Sequence, residues 1–282
     1  MTRLTVPKTY KLYIGGKFPR SESGRTYEVT TKKGAFLANA SLASRKDARD
    51  AVVAARAAVS GWSGATGYNR GQVLYRIAEL LEGRREQFVD ELMATESLSK
   101  SAATTQVDTA IDAWVWYAGW ADKYVQVAGN GNPVSGPYFN LSTPEPSGVI
   151  APQDSSSLLG LVSVIAPALV SGNTVVVVAH QSAPLSAISL SEVLATSDVP
   201  GGVVNILTGS PAEIAPWLAS HADVNGLDLA GAEELEWVDL QIAAADTLKR
   251  VMGPVTGVPA PSVERIVQWT ETKTVWHTKS LI

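Results

Sequence analysis

Apolar residues recur along this chain with two periods, and the change between them falls near Gly129-Asn130-Gly131-Asn132-Pro133, a cluster that reads as a turn. Before it, helical spacing dominates. Ser44 is placed to cap a helix over 45–60, whose Val52, Ala55 and Val59 form a stripe. A longer helix is expected over 69–97, where Val73, Leu74, Ile77, Leu80, Leu81, Phe88 and Leu92 fit a 3.6-residue repeat. A third, over 105–125, carries Trp114, Tyr117, Trp120 and Tyr124, expected to pack in the core. Residues 11–18 read as a short strand with a tight turn at Gly15-Gly16.

After the turn cluster a strand pair is expected over 138–151, and then the rhythm shortens. Apolar runs at 149–151, 174–179, 203–207 and 226–229 are separated by helix-like segments at 156–170, 183–195 and 211–220. Another such segment follows at 232–245. Strands alternating with helices of this length predict a parallel sheet covered on both faces, and right-handed crossovers make it doubly wound. Three prolines and two glycines in residues 252–261 read as a linker, followed by a helical turn and a Thr/Val/Trp-rich strand at 270–279.

Composition narrows the function classes. The chain has 282 residues, 45% of them hydrophobic and 18% charged, with a net charge of −4. That mild acidity argues against a nucleic-acid partner, which usually demands a basic footprint. The longest apolar stretch, 158–170, is too short to span a bilayer and contains Ser163 and Pro167, so no membrane association is expected. No apolar segment of a secretory signal is evident at the N-terminus, and a cytoplasmic location is expected. The sequons Asn39-Ala40-Ser41 and Asn140-Leu141-Ser142 are then chance matches. Zero cysteines exclude disulfides, thiolate metal sites and thiol catalysis within these residues. His180, His221 and His277 lack ligand spacing, so no metal is expected.

Particular words inside this order of segments resemble the aldehyde dehydrogenase superfamily. They are Leu12-Tyr13-Ile14-Gly15-Gly16-Lys17, Gly61-Trp62-Ser63, Tyr117-Ala118-Gly119-Trp120-Ala121-Asp122-Lys123 and Glu145-Pro146-Ser147-Gly148-Val149-Ile150. Further on come Pro167-Ala168-Leu169, Gly172-Asn173-Thr174-Val175-Val176, Pro200-Gly201-Gly202-Val203-Val204-Asn205-Ile206 and Leu248-Lys249-Arg250-Val251. Each word is weak alone; the ordered set, nearly continuous over 11–251, is strong. The resemblance implies an α/β fold: a Rossmann-like doubly wound parallel sheet with N-terminal helices and a β oligomerisation arm. It divides the chain into an N-terminal helical part (1–137), an oligomerisation hairpin (138–151) and a Rossmann-like part (152–252). A linker in place of the catalytic domain (253–261) and a C-terminal oligomerisation strand (262–282) complete it.

The positions to which the resemblance assigns chemistry are where the chain departs from the family. The asparagine that would stabilise an oxyanion is Asp154, whose charge would repel one. The ribose-binding lysine is Val178, and the glutamate sharing that ribose is Gln181. The second glycine of the adenine-pocket turn is Pro211. The word whose helix N-terminus would meet the pyrophosphate reads Leu229-Ala230-Gly231-Ala232, without its hydroxyl, and Glu233 and Glu234 follow it. The general-base position is Pro254, and the nucleophilic cysteine has no counterpart. Loss of the three hydrogen-bonding groups would remove about 3–6 kcal/mol, on the order of 10²–10⁴ in affinity. No cofactor is therefore expected, with weak NAD binding the exception. Asp228, beside an apolar run, has no role in this reading.

The segment from Val263 to Trp276 resembles the family's far C-terminus, where a terminal strand joins the hairpin to form the arm. The expectation is that the catalytic domain has been excised and the arm retained. An unpaired strand this rich in Thr, Val and Trp is an aggregation hazard, which strand addition to a partner would remove. The expected partner is a full-length aldehyde dehydrogenase subunit, engaged through Thr274, Val275 and Trp276 and through a helical stripe bearing Leu235, Val238, Ile242 and Ala245. The resulting role is a non-catalytic subunit that stabilises or regulates that enzyme. The alternatives are a residual NAD(P)-dependent oxidoreductase acting on aldehydes and a small-ligand sensor using the cofactor cleft.

Overall fold

A computed structural model describes residues 4, 6–134, 138–152, 157–231 and 235–278. Asp154 and Ala232, with Glu233 and Glu234, lie outside the described residues. The chain opens with a small sheet of β1 (Thr9–Tyr10), β2 (Thr26–Thr30) and β3 (Phe36–Ser41), in the order β1-β3-β2, which the hydrophobic pattern did not disclose. Residues 11–18 do not form the expected strand. Gly15 and Gly16 take φ values of 61° and 77° in a tight turn, and Tyr13 exchanges backbone hydrogen bonds with Ile206.

Five helices follow: α1 (Arg45–Gly64), α2 (Gly67–Gly83), α3 (Arg85–Glu96), α4 (Lys100–Trp120) and α5 (Tyr124–Ala128). Ser44 does cap α1, in a reciprocal pair with Asp47 that satisfies two otherwise orphaned N–H groups. The long helix expected over 69–97 breaks in two, because Gly83 is a poor helix residue and Arg84 leaves helical geometry at φ −112° and ψ 12°. The apolar stripe continues across the break: Leu74, Ile77, Leu81, Phe88 and Leu92 are all fully buried. So are Trp114, Tyr117 and Tyr124, the expected core aromatics, with Trp120 half-buried.

The turn cluster becomes β4 (Asn130–Pro133), which pairs with β5 (Tyr138–Pro146). This corrects the hairpin placed over 138–151. β5 pairs backwards in sequence, and the residues after Gly148, a glycine at φ 126°, enter a different sheet as β6 (Val149–Pro152). From there the chain alternates through α6 (Leu159–Val170), β7 (Thr174–Val178), α7 (Leu185–Leu194), β8 (Val204–Leu207), α8 (Pro211–Ser220), β9 (Gly226–Asp228), α9 (Trp237–Ala245) and β10 (Arg250–Met252). The sheet is wholly parallel, in the order β10-β9-β6-β7-β8. Its two faces bury different partners. Val175 and Val177 of β7 join one apolar cluster with α2, α4 and α6, while Val176 and Val178 join another with α1 and α8. The sheet is therefore doubly wound, with its switch of strand order between β6 and β9.

Residues 253–261 carry neither helix nor strand. The chain then forms α10 (Val263–Val267) and β11 (Thr270–Thr278), and β11 lies antiparallel on β5 over nine residue pairs. The C-terminal strand is thus not unpaired: one edge is satisfied within the chain, in a sheet ordered β11-β5-β4. Ile266 and Trp269 are fully buried, and the Trp269 carbonyl accepts from Ser147 N–H and Asn173 Nδ2. A bidentate contact of Arg250 with Glu271, at 2.8 Å, and an ion pair of Lys273 with Glu145, also at 2.8 Å, secure the strand's flank.

Candidate functional site

Four of the positions singled out in the sequence meet at one cleft of about 1020 Å³. Val178 ends β7, Gln181 follows in the loop to α7, Pro211 opens α8, and Gly231 follows β9. These are the carboxyl ends of parallel strands, where open α/β sheets hold their ligands. Gly209, at φ 136° against Leu42 and Ala43, makes the turn that brings Pro211 into place. The opposite wall comes from β2, whose Tyr27 hydroxyl donates to the Gln181 carbonyl at 3.1 Å. Burial raises the Tyr27 phenol well above its ordinary value, so that hydroxyl stays protonated and remains a donor.

The chemistry at the four positions is sparse. Val178 is 1% exposed and packs with the apolar cluster, so the strand ends in a methyl surface rather than a cation. Pro211, at the first turn of its helix, has no N–H to offer. Of the three groups that the resemblance implies for a dinucleotide, those at Val178 and Ala232, the latter known from sequence alone, have no hydrogen-bonding counterpart, and at Gln181 a neutral amide stands in place of a carboxylate. Among the described residues the charged groups lining the cleft are Glu28, Lys32 and Glu96, with His180 beside them, and Ser157 donates to Glu96. Pro254 is not on the wall; its neighbour Val255 is. Leu235 also lines the cleft and precedes α9, which corrects its place in the partner-facing stripe of a helix over 232–245. Of that stripe, Val238 and Ile242 stand out from α9 at 51% and 66% exposure, while Leu240 and Ala244 face inward.

At the switch point itself sits a group that sequence reasoning left unassigned. Asp228 is fully buried at the end of β9, and its carboxylate accepts from Arg265 Nη2 at 2.7 Å and from the Ala230 N–H at 3.2 Å. Burial pushes its carboxyl above the ordinary value, against the opposing pull of Arg265 and the Ala230 N–H. The same Nη2 donates to the Ser163 carbonyl of α6 at 3.2 Å, so Arg265 ties the tail to two layers of the domain. Arg265 is the single basic residue between Val251 and Thr272, and a buried acid requires a cation. Those facts flag both partners, but a separation of 37 positions hides their meeting until the topology is known.

The arm positions Thr274, Val275 and Trp276 lie on β11 opposite Ser142, Leu141 and Asn140. Trp276 is 60% exposed, and among the described residues no strand pairs with the outer edge of β11. His277 stacks on Phe139 across the same pair of strands, with ring centres 5.1 Å apart. Among the described residues no helix is long and apolar enough to cross a membrane.

The aldehyde dehydrogenase family model matches residues 18–258. Cytosolic 10-formyltetrahydrofolate dehydrogenase of Mus musculus is 32% identical over 259 residues, which is 88% of this chain and 28% of that protein. Aldehyde dehydrogenase, cytosolic 1 of Elephantulus edwardii is 33% identical over 262 residues, covering 89% of this chain and 51% of its own length. Among solved structures, HpcC from Thermus thermophilus matches with a TM-score of 0.81 at 27% identity, over 87% of this chain and 48% of that one. An NAD+ complex of aldehyde dehydrogenase from Bacillus cereus shares the fold at a TM-score of 0.80 and 24% identity, over 86% of this chain and 50% of that one. The chain spans about half the length of these relatives, or less.

Proposed function

The chain belongs to the aldehyde dehydrogenase family, and from that membership we propose that it is a non-catalytic subunit which assembles with a full-length family member and stabilises or regulates it. The observation that carries this reading is the arm. β11 is held firmly against β5, yet its outer edge leaves a row of backbone donors and acceptors beside an exposed Trp276. Strand addition to a partner's sheet would satisfy that row, and the outward Val238 and Ile242 of α9 would give the contact a second footing. The chemical side agrees: a chain without cysteine has no thiol to form a thiohemiacetal, and Val178, Gln181 and Pro211 hold a dinucleotide poorly.

The test is co-expression with a full-length aldehyde dehydrogenase from the same cell, followed by size exclusion. Co-elution is expected, and two separate peaks would sink the pairing. The cleft's volume favours a second reading, in which it retains weak affinity for NAD or has passed to another small ligand. Calorimetry with NAD, NADP and acyl-CoA separates the two: micromolar binding of any of them moves the function back to the cleft.

A further inference from the structure

Near the Thr26 end of β2 lies a second, smaller cavity of about 280 Å³, and its lining is chemically one-sided. Arg20, Arg25, Thr9, Thr26, Asn39 and Ser41 surround it, together with Gly24, and no carboxylate is among them. In a chain of net charge −4, two guanidinium groups on one cavity without an acid are unusual company. Among the described residues neither Arg20 nor Arg25 forms an ion pair; Arg25 Nε donates only to Ser23 Oγ at 3.3 Å. Glu28, opposite Asn39 and two residues along β2 from Thr26, stands on the same face of the small sheet and borders the large cleft.

The local fold holds these groups in place. Strand pairing sets Thr9 opposite Asn39 and Thr26 opposite Ser41, so the four side chains share one face of the small sheet. The two arginines sit at either end of the turn over residues 21–24, where Gly24 takes φ 69°. That turn is pinned by the Asp47 carboxylate, which accepts from Ser21 Oγ at 2.7 Å and from the Glu22 N–H at 3.0 Å. Ser41 is the buried member of this lining, at 1% residue exposure, and its hydroxyl has no hydrogen-bond partner. A buried hydroxyl left unsatisfied is rare enough to need a reason.

We propose that this cavity binds a phosphate-type oxyanion between the Arg20 and Arg25 guanidiniums. Planar forks of N–H donors match tetrahedral oxyanions, and hydroxyl and amide donors on the sheet face complete the shell. The volume is about nine waters' worth, which suits a phosphate group with a few waters and excludes a dinucleotide. Free phosphate and the phosphate of a monoester present the same chemistry here. The site is separate from the cleft and from the arm, so it stands or falls independently of the subunit reading.

The test is thermal unfolding and calorimetry of the full chain with inorganic phosphate and with glycerol 2-phosphate, at constant ionic strength. A saturable rise in Tm with either probe is expected, and the stronger probe identifies the source. Arg20→Gln with Arg25→Gln should weaken binding by about 10-fold or more, as loss of charge-assisted hydrogen bonds requires. Arg49→Gln with Arg76→Gln removes the same charge from two exposed pairs elsewhere and should leave binding unchanged. No saturable response from the unaltered chain would overturn the proposal. So would equal weakening by the control pair, or binding that survives loss of Arg20 and Arg25.

Discussion

At the scale of single residues, the sharpest demand in the molecule is the Asp228–Arg265 pair. Arg265→Met strips the counter-charge from a fully buried carboxylate and should cost about 3–5 kcal/mol, read as a drop in the urea midpoint. Asp228→Leu added to that variant should recover much of the loss, since no orphan charge remains. A loss below about 1 kcal/mol for the single variant would show that the acid is not held by this cation. Glu91 poses a different question. Its Oε1 accepts from Gln87 at 2.9 Å and Ser189 at 2.7 Å, but its Oε2 is buried without a partner. Burial raises its pKa, and those two hydrogen bonds together with Lys8 and Arg84 only partly offset the rise. Glu192 and Tyr10 face the same cluster. A folded value above the unfolded one means that the native state keeps the proton longer. The associated stability is complete below the unfolded pKa and is lost as pH rises through the folded one. Glu91→Gln should therefore gain on the parent in urea midpoint as pH climbs from about 4 toward neutrality. Parallel pH profiles for the two proteins would refute that assignment.

At the scale of elements, α9 separates what the chain buries for itself from what it offers outward. Leu240 is 4% exposed and should cost about 2–5 kcal/mol as Ala, like other buried leucines. Val238→Glu with Ile242→Glu alters only exposed positions and should change stability by no more than about 0.5 kcal/mol per site. The same double variant should abolish co-elution with the full-length partner, whereas a variant that still co-elutes would place the contact elsewhere. Which elements the sequence disclosed follows from how each is stabilised. Buried parallel strands such as Thr174–Val178 announce themselves as apolar runs, and amphipathic helices by their stripe. The small N-terminal sheet does not, because Thr26–Thr30 alternates around a single buried Val29 and Phe36–Ser41 ends in a polar serine. β4 hid behind its own residues, since Asn-Gly-Asn-Pro reads as a turn and becomes a strand only when β5 supplies the partner edge. At the cleft, Val178, Gln181, Pro211 and Gly231 were legible as a set through motif order alone. The wall supplied by β2 was not, because nothing local ties Tyr27 to Gln181 across 154 positions.

At the scale of the whole molecule, the question is whether the tail is a loose arm or a part of the domain. Its strand lies on β5 through nine register pairs, and its helix packs on α5 and α6. Its Trp269 fills core space at 0% exposure, next to the carbonyl that serves Ser147 and Asn173. Removing residues 262–282 would open that core, leave Asp228 without its cation and turn β5 into an open edge at once. Each of these defects alone costs kilocalories, against a net stability of only about 5–15 kcal/mol for a typical domain. The shortened chain is therefore expected to lose cooperative unfolding and to bind hydrophobic dyes. Trp269→Ala is the graded form of the same test, with a cost of about 3–5 kcal/mol if the ring is structural. A truncated chain that unfolds cooperatively near the parent's midpoint would show instead that the tail is an appended arm, and that the α/β domain closes without it.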